Sequence, residues 1–267
     1  MIPAPVRYHR ALSLEDAFEA LAEDEAKALA GGQSLVPVLK LRVARPSLVV
    51  DIGGLGLRGL TAGEGEVRIG ALTTWAELEE AVELRAPGLA AVSECARGIG
   101  DLQVRNRGTL GGSLAHADPA SDMPAVLLAL GARLRLRSRG GERDVPLSQF
   151  FVGPFLTVLE SGELIVEIVV PVPPPGSGSA YASVEHPASG FALAGVAAFV
   201  HPEGETLAAT GLGAHPFTLP AGDPREALSS TEIFGDRFAP AEYRRELAAV
   251  LAERALSAAR KHAREAS

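Results

Sequence analysis

The run Pro171-Val-Pro-Pro-Pro-Gly-Ser-Gly-Ser179 constrains the fold of this chain more than any other feature. Proline fixes φ and has no N–H to donate, and glycine is too permissive to hold regular structure, so helices and strands stop there. A chain of 267 residues is long enough for about two domains, each with its own core. The run therefore reads as a hinge between a larger part, residues 1–172, and a smaller one, residues 173–267. Within the larger part the patterns change character near residue 55, giving subdomains of about 1–55 and 56–172.

Ser13-Leu-Glu-Asp16 has the form of a capping box, and Leu14, Ala17, Phe18 and Leu21 follow at helical spacing. Lys27 to Ala30 is a short apolar run, Ser34 to Leu41 is helical, and Ser47 to Ile52 reads as a buried strand. This β–turn–α–β order is typical of a parallel sheet. Glu66 to Leu72 predicts a strand, Thr74 to Glu77 a helix start, and Gly88 to Arg97 and Met123 to Leu130 two more helices. Arg133-Leu-Arg-Leu-Arg-Ser-Arg139 alternates with the period of a strand whose arginine face is wet. Glu163 to Pro171 is a further strand. Beyond the hinge, Phe191 to His201 and Thr206 to Ala214 form a hairpin pattern around Pro202-Glu-Gly-Glu. Ala239 to Ala263 closes as a long helix, with Tyr243, Leu247, Val250, Leu251 and Leu256 as its apolar stripe and Arg244, Arg245, Glu253 and Arg260 on its wet side. The expected class is α+β.

Charge and cysteine count exclude several functions. Lys and Arg total 25 against 33 Asp and Glu, a net charge of −8, the wrong sign for general nucleic-acid binding. No stretch approaches the ~20 apolar residues of a membrane span, and the N-terminal residues lack the apolar core of a signal peptide. The expected location is the cytoplasm. Cys95 is the only cysteine, so neither an intrachain disulfide nor a cysteine-ligated zinc or iron–sulfur site is available. Its helical surroundings suit a small buried hydrophobe better than a reactive thiol.

Three glycine-rich segments compete for a ligand. Gly54-Leu-Gly-Leu-Arg-Gly59 matches the spacing of a dinucleotide fingerprint but is followed by Leu60-Thr-Ala-Gly-Glu-Gly-Glu66, which has no helical period. A fingerprint that opens no helix holds no pyrophosphate, so this segment reads as a loop. In Leu29-Ala-Gly-Gly-Gln-Ser-Leu-Val36, by contrast, an apolar strand ends at Gly31-Gly32 and a helix begins a few residues later. There, glycines permit positive φ and close approach, and the first N–H groups of a helix converge on an anion. In Gln103-Val-Arg-Asn-Arg-Gly-Thr-Leu-Gly-Gly-Ser113 a second pair, Gly111-Gly112, is flanked by the hydroxyls of Thr109 and Ser113. Singly, each reads as a structural turn; two in one domain favour a ligand with two phosphates.

Other chemistry is sparse. Asp122 precedes an apolar helix and suits a cap, and His116, without a carboxylate or second histidine at ligand spacing, suits a local hydrogen bond. No Gly-x-Ser-x-Gly elbow, Gly-Lys-[Ser/Thr] loop or His-x-x-x-His pair occurs. With no nucleophile, general base or metal cluster in evidence, any catalysis rests on a cofactor.

The runs Ala30-Gly-Gly-Gln-Ser34 and Val104-Arg-Asn-Arg-Gly-Thr-Leu-Gly-Gly-Ser-Leu-Ala-His-Ala-Asp-Pro-Ala-Ser-Asp122 resemble the FAD-binding medium subunit of molybdenum hydroxylases, such as carbon monoxide dehydrogenase and bacterial xanthine dehydrogenase. Glu163-Leu-Ile-Val-Glu167, Phe191-Ala-Leu-Ala-Gly195 and Ala241-Glu-Tyr-Arg-Arg245 resemble its later signatures, in the same order. The resemblance implies an FAD-binding domain of the vanillyl-alcohol-oxidase-like (PCMH) type, followed by a smaller domain with an antiparallel sheet and helices. It implies FAD held by Leu29, Ala30, Gly31, Gly32, Gln33, Ser34, Leu35 and Val36 and by Thr109, Gly111, Gly112 and Ser113, with Asp122 as the binding aspartate after the second segment and the aliphatic Ile165 near the flavin.

The implied role is that of an oxidoreductase subunit. A molybdenum-cofactor large subunit oxidises the substrate, and a small subunit with 2Fe–2S clusters relays electrons to this FAD and on to an external acceptor. The subunits are expected to assemble as a dimer of heterotrimers. The single cysteine fits, because another chain must hold the clusters. One departure stands out: Tyr181-Ala-Ser-Val-Glu-His-Pro-Ala-Ser-Gly-Phe191 has no Lys, Arg or Asp where relatives are basic, so no basic contact to the cofactor is expected from it. Two rival readings are a freestanding flavin oxidoreductase, which needs its own acid or base, and a non-catalytic paralogue that keeps the fold without flavin.

Overall fold

Three layers arise from where the apolar periods fall, and the computed structural model describes them over residues 2–265. In the first layer, β1 (Arg7–Arg10), β2 (Ala26–Leu29) and β3 (Leu48–Asp51) are joined by helices α1 (Leu14–Leu21) and α2 (Leu35–Lys40). The sheet is parallel with β3 in the centre, as the β–turn–α–β order predicts. Its first strand, Arg7-Tyr-His-Arg10, has no apolar alternation to announce it. Ser13 caps α1 by accepting the Asp16 N–H at 3.1 Å. The reciprocal half of the box is missing, because Asp16 accepts the Leu12 N–H at 2.8 Å and meets His9 Nε2 at 2.7 Å instead. The layer's core of Ala17, Phe18, Leu21, Val50 and Ile52 runs on into Leu72 and Leu164.

The second layer is an antiparallel sheet of β4 (Leu60–Gly63), β5 (Glu66–Gly70), β6 (Arg133–Ser138), β7 (Gly141–Pro146) and β10 (Leu164–Pro171). Strand β10 is central, pairing Ile168 with Ile69 on one side and Leu134 on the other. Leu134 and Leu136 point inward and are fully buried. The alternating arginines face out, with Arg133 bridging Glu66 at 2.7 Å and Asp144 at 3.0 Å and Arg135 bridging Glu167 at 3.0 Å. The arginine row is thus a solvated, ion-paired face. Between β5 and β6 lie α3 (Trp75–Glu80), α4 (Ala90–Gly98), α5 (Leu102–Arg105), α6 (Leu110–His116) and α7 (Asp122–Ala129). The main core packs Val92 of α4, Leu114 of α6 and Leu127 of α7 against Ile69, Leu134 and Ile168. Thr74 and Glu77 complete a capping box at the start of α3, with N–H to side-chain distances of 2.7 and 3.3 Å. Cys95 is buried in α4, and burial raises its thiol well above the usual range. A short hairpin, β8 (Phe151–Gly153) and β9 (Leu156–Thr157), lies before β10.

The third layer is the antiparallel meander β11 (Gly178–Glu185), β12 (Ala192–His201), β13 (Gly204–Thr210) and β14 (Phe217–Thr218), with helices α8 (Pro224–Ser229) and α9 (Ala241–Glu265). Alternation sorts its residues between two cores. Ala194, Val196 and Ala198 pack with α9, whereas Ala197 and Ala208 join the main core beneath α7.

Two expectations need correction here. Gly178 and Ser179 belong to no hinge; they are buried residues of β11. Glycine is required at 178 because α9 crosses it so closely that a Cβ would lie 2.1 Å from the Ala259 carbonyl oxygen. The wet side assigned to α9 is also wrong at Arg244, which is 6% exposed, while Tyr243 and Val250 of the supposed stripe are exposed. Arg244 turns inward because its guanidinium meets the backbone carbonyls of Leu193 and Gly211 at 2.6 Å each and the Asp236 carboxylate at 2.6 Å, and shares the Ala239 carbonyl, at 3.3 Å, with the Asp236 N–H. No described helix is long and apolar enough to cross a membrane.

Replacing Arg244 with Met takes the guanidinium from the Leu193 and Gly211 carbonyls in a dry site, at a cost of about 3 kcal/mol from lost charge-assisted bonds. Urea unfolding is the measurement. Lys at this position is expected to recover less than half, since one ammonium does not reproduce the fork.

Candidate functional site

Both glycine pairs lie at the seam between the first two layers. Strand β2 ends at Leu29, whose carbonyl accepts the Ile52 N–H at 3.0 Å, and the chain then turns through Ala30 to Ser34 into α2. Gly32 has φ +75°, the left-handed region that favours glycine. Gly31 is needed for a different reason: a Cβ there would lie 1.9 Å from the Arg107 carbonyl oxygen. The second segment therefore presses its backbone directly on the first. One residue along, a Cβ on Gly112 would lie 3.6 Å from that of Ala30. The structure thus brings Leu29–Val36 and Thr109–Ser113 together.

The two segments differ in what they leave free. After Gly31 the chain bonds only sparingly: Gln33 Nε2 reaches the Gly31 carbonyl at 3.3 Å and the Val36 N–H the Gly32 carbonyl at 3.0 Å. The N–H groups of Gly31, Gly32, Gln33, Ser34 and Leu35 have no acceptor among the described residues, and the Ser34 hydroxyl does not cap α2. Consecutive unpaired amides at a turn into a helix form a nest for an anion.

The second segment is not a loop but the first turn of α6. Thr109 is its N-cap, accepting the Gly112 N–H at 3.2 Å. The amides of Leu110 and Gly111 are spent on Thr73 and Ala71, and that of Ser113 on Thr109. Gly111 is buried, and its missing side chain makes room for Ala71, whose Cβ a new Cβ would meet at 2.6 Å. What this segment adds is hydroxyl chemistry, from Thr109, which is buried, and from the partly exposed Ser113, whose Oγ lies 3.0 Å from Ser121 Oγ.

Positive charge stands at the base of the nest. Asp51, paired in register with Leu29, accepts from Tyr8 at 2.6 Å and from the Gly53 N–H at 2.8 Å. Burial alone would raise its carboxyl, but these bonds and the charges of Arg10 and Arg107 hold it below the usual carboxylate range. Nothing in the sequence pattern marks Arg107 as special; its role comes from the carbonyl it lays on Gly31.

Asp122 is the first residue of α7 rather than its cap, and its side chain accepts a hydrogen bond from the Tyr181 hydroxyl. Burial, aided by the negative charges of Glu185 and Asp118, pushes its carboxyl up to about 6, against the Tyr181 bond. The phenol of Tyr181 is raised well above its usual range, first by burial and then by Asp122. Its ring crosses Gly195, where a Cβ would lie 2.0 Å from the hydroxyl. The sequence pattern does not single out Tyr181 as a partner of Asp122; its strand, β11, brings it there. Ile165 is 5% exposed and lies in the main core. His116 makes no ring hydrogen bond among the described residues, contrary to expectation; it packs on Phe155 with centroids 5.2 Å apart. No group of three His, Cys, Asp or Glu suited to a metal occurs among the described residues. Two surface hollows lie elsewhere, one of about 440 Å³ beside Phe18, Arg137 and Arg139 and one beside Arg7, Tyr8 and Asp16.

Comparison with known proteins finds relatives that span most or all of the chain. The family described as the FAD binding domain in molybdopterin dehydrogenase matches residues 4–173. The 6-hydroxypseudooxynicotine dehydrogenase complex subunit alpha of Paenarthrobacter nicotinovorans is 44% identical over 203 residues, 75% of this chain and 68% of that one. The carbon monoxide dehydrogenase medium chain of Afipia carboxidovorans is 34% identical over 99% of this chain and 100% of its own length. Among solved structures, a chain of carbon monoxide dehydrogenase from Hydrogenophaga pseudoflava superposes with a TM-score of 0.92 at 34% identity, covering 98% of this chain and 99% of that one.

The Asp122 carboxyl predicts a pH dependence of stability. Its proton leaves near 3.8 in the unfolded chain and near 6 in the folded one, so between those values the folded state binds more protons. Its contribution is therefore fully present below the unfolded value and lost as pH rises through about 6. Asp122→Asn keeps an acceptor for Tyr181 without the charge. Relative to the native chain it is expected to gain roughly 1–2 kcal/mol between pH 4 and pH 7. Urea titrations across that range read the difference; a constant offset would mean that Asp122 is not the titrating group.

Proposed function

The chain belongs to the family of FAD-binding domains of molybdopterin dehydrogenases, and from that premise we propose that its two joined glycine segments hold the diphosphate of FAD. It is an FAD-binding medium subunit of the molybdenum hydroxylase type, and the activity of its class is oxidoreduction. The observation that carries the site assignment is the contact of Gly31 with the Arg107 carbonyl, which sets the open amides of Gly31–Leu35 beside the Thr109 and Ser113 hydroxyls.

In this reading the residues divide the work. The Gly31, Gly32, Gln33, Ser34 and Leu35 amides donate to phosphate oxygens, which preorganised backbone dipoles do without side-chain ordering. Thr109 and Ser113 add hydroxyl donors. Arg10 and Arg107 offset the charge of two phosphates and of Asp51. Gly111 serves by close packing on Ala71, keeping α6 in place, while Leu29 and Val36 flank the nest with apolar surface. Ile165, near the flavin, and Asp122, after the second segment, complete the set, Asp122 from its place beside Tyr181.

Bound FAD supplies the redox chemistry, exchanging electrons with 2Fe–2S clusters of a small subunit and with an external acceptor, while a molybdenum-cofactor large subunit oxidises substrate. Support for such partners comes from the relatives, which are named as the medium chain or a subunit of dehydrogenase complexes. Support from this chain is its single, buried cysteine, too few for a cysteine-held iron–sulfur cluster. We extend the assembly to a dimer of heterotrimers.

The isolated chain mixed with FAD and desalted is expected to keep a flavin band near ~450 nm. Gly32→Val, strained at φ +75°, and Gly31→Val, which drives the two segments apart, are each expected to lose that band while keeping the far-ultraviolet circular dichroism of the fold. Gly111→Val is expected to lose both flavin and stability. A folded native chain that stays colourless rules the proposal out.

A further inference from the structure

The third layer reaches the second glycine segment through one buried side chain. Thr210, at the end of β13, is fully buried, and its hydroxyl lies 2.7 Å from the Ser121 carbonyl and 3.0 Å from that of Pro119. The next amide, Gly211 N–H, donates to the same Pro119 carbonyl at 2.9 Å. These bonds clamp the connection between α6 and α7, and Ser121 in turn sets its own hydroxyl 3.0 Å from that of Ser113. The clamp is held from behind by Arg244, which binds the Gly211 carbonyl at 2.6 Å. At Gly211 the chain turns with φ +75° and no room for a Cβ, since the Ala192 carbonyl would lie 2.8 Å away.

A hydroxyl beside another hydroxyl has two orientations. With Ser113 donating to Ser121, its proton is spent inside the protein. With Ser121 donating to Ser113, the Ser113 proton is free for an outside acceptor, and Ser121 must be fixed at the right distance for that arrangement to persist. No other side-chain group bonds the Ser121 hydroxyl among the described residues, so its position depends on the backbone that Thr210 grips. Hydrogen-bonded chains of this kind act as a unit when their members are buried.

We propose that Thr210 is a positioning residue for the cofactor: acting through Ser121, it orients the Ser113 hydroxyl toward the diphosphate. This rests on the assignment of FAD to the glycine segments. It makes the third layer part of the binding machinery without touching the ligand. A simple packing role for Thr210 predicts lost stability but unchanged coupling to Ser113, so the two roles are separable.

The test is a double-mutant cycle on the full chain with FAD affinity as the readout, followed by quenching of flavin fluorescence. Thr210→Val keeps the shape and removes the hydroxyl, and is expected to weaken FAD binding about fivefold, the worth of one hydrogen bond. Ser113→Ala is expected to do the same, and the pair together no more than either alone. Thr210→Ser is expected to restore native affinity. Should Thr210→Val fail to fold, Ser121→Ala replaces it in the cycle, since it removes only the intermediate hydroxyl. Unchanged affinity in Thr210→Val or Ser121→Ala, or losses that simply add to that of Ser113→Ala, overturn the inference while leaving FAD binding intact. A native chain that binds no FAD overturns the cofactor assignment and this inference with it.

Discussion

Gly31 and the Arg107 carbonyl lie so close that no methyl group fits between them, and the arrangement of the surrounding segments follows from that contact. It joins a parallel sheet, built by local β–α–β connections, to a layer whose strands come from both halves of the chain. Of the two segments in contact, only the first keeps its amides unpaired; the second spends its own on capping α6 and on the Thr73–Ala71 turn. The division is economical in the physical sense that rigidity is supplied by one segment and donor capacity by the other. It also explains why glycines with similar sequence surroundings answer to different constraints: positive φ at Gly32, contact with the Arg107 backbone at Gly31, contact with Ala71 at Gly111.

The third layer is tied to this seam by polar contacts as well as by apolar packing. Ala197 and Ala208 close the main core beneath α7, which is non-directional and tolerates small shifts. Thr210 and Tyr181 are directional, since each donates to a single short stretch of chain, around Pro119 and at Asp122. Apolar contact decides that the layers meet, and the buried hydroxyls decide in which register.

Much of this was legible in the sequence where the constraint is local. The Thr74–Glu77 box, the Arg133–Arg139 alternation and the tight turn after His201 all depend on neighbours within a few residues, and each stands where the pattern put it. Legibility failed where a distant partner decides. Arg244 has the spacing of a solvent-facing residue, yet two carbonyls from elsewhere, of Leu193 and Gly211, draw it inside. Gly178 looks like linker until α9 is laid across it. The segment around Gly111 looked like a loop because glycine disfavours helices, and only the Thr109 cap and contact with Ala71 stabilise one there. Tyr181 and Thr210 carry no signal at all in one dimension.

Helix α9 has a consequence for how the molecule is made. It supplies Arg244 and the apolar cover of β11 and β12, and it leaves the ribosome after every strand it covers. Until it arrives, the Leu193 and Gly211 carbonyls lack their guanidinium and half the meander's surface is bare. During translation, then, the strands of the first two layers are all made before helix α9, but the nascent polypeptide lacks the backing for its Thr210 clamp until α9 docks.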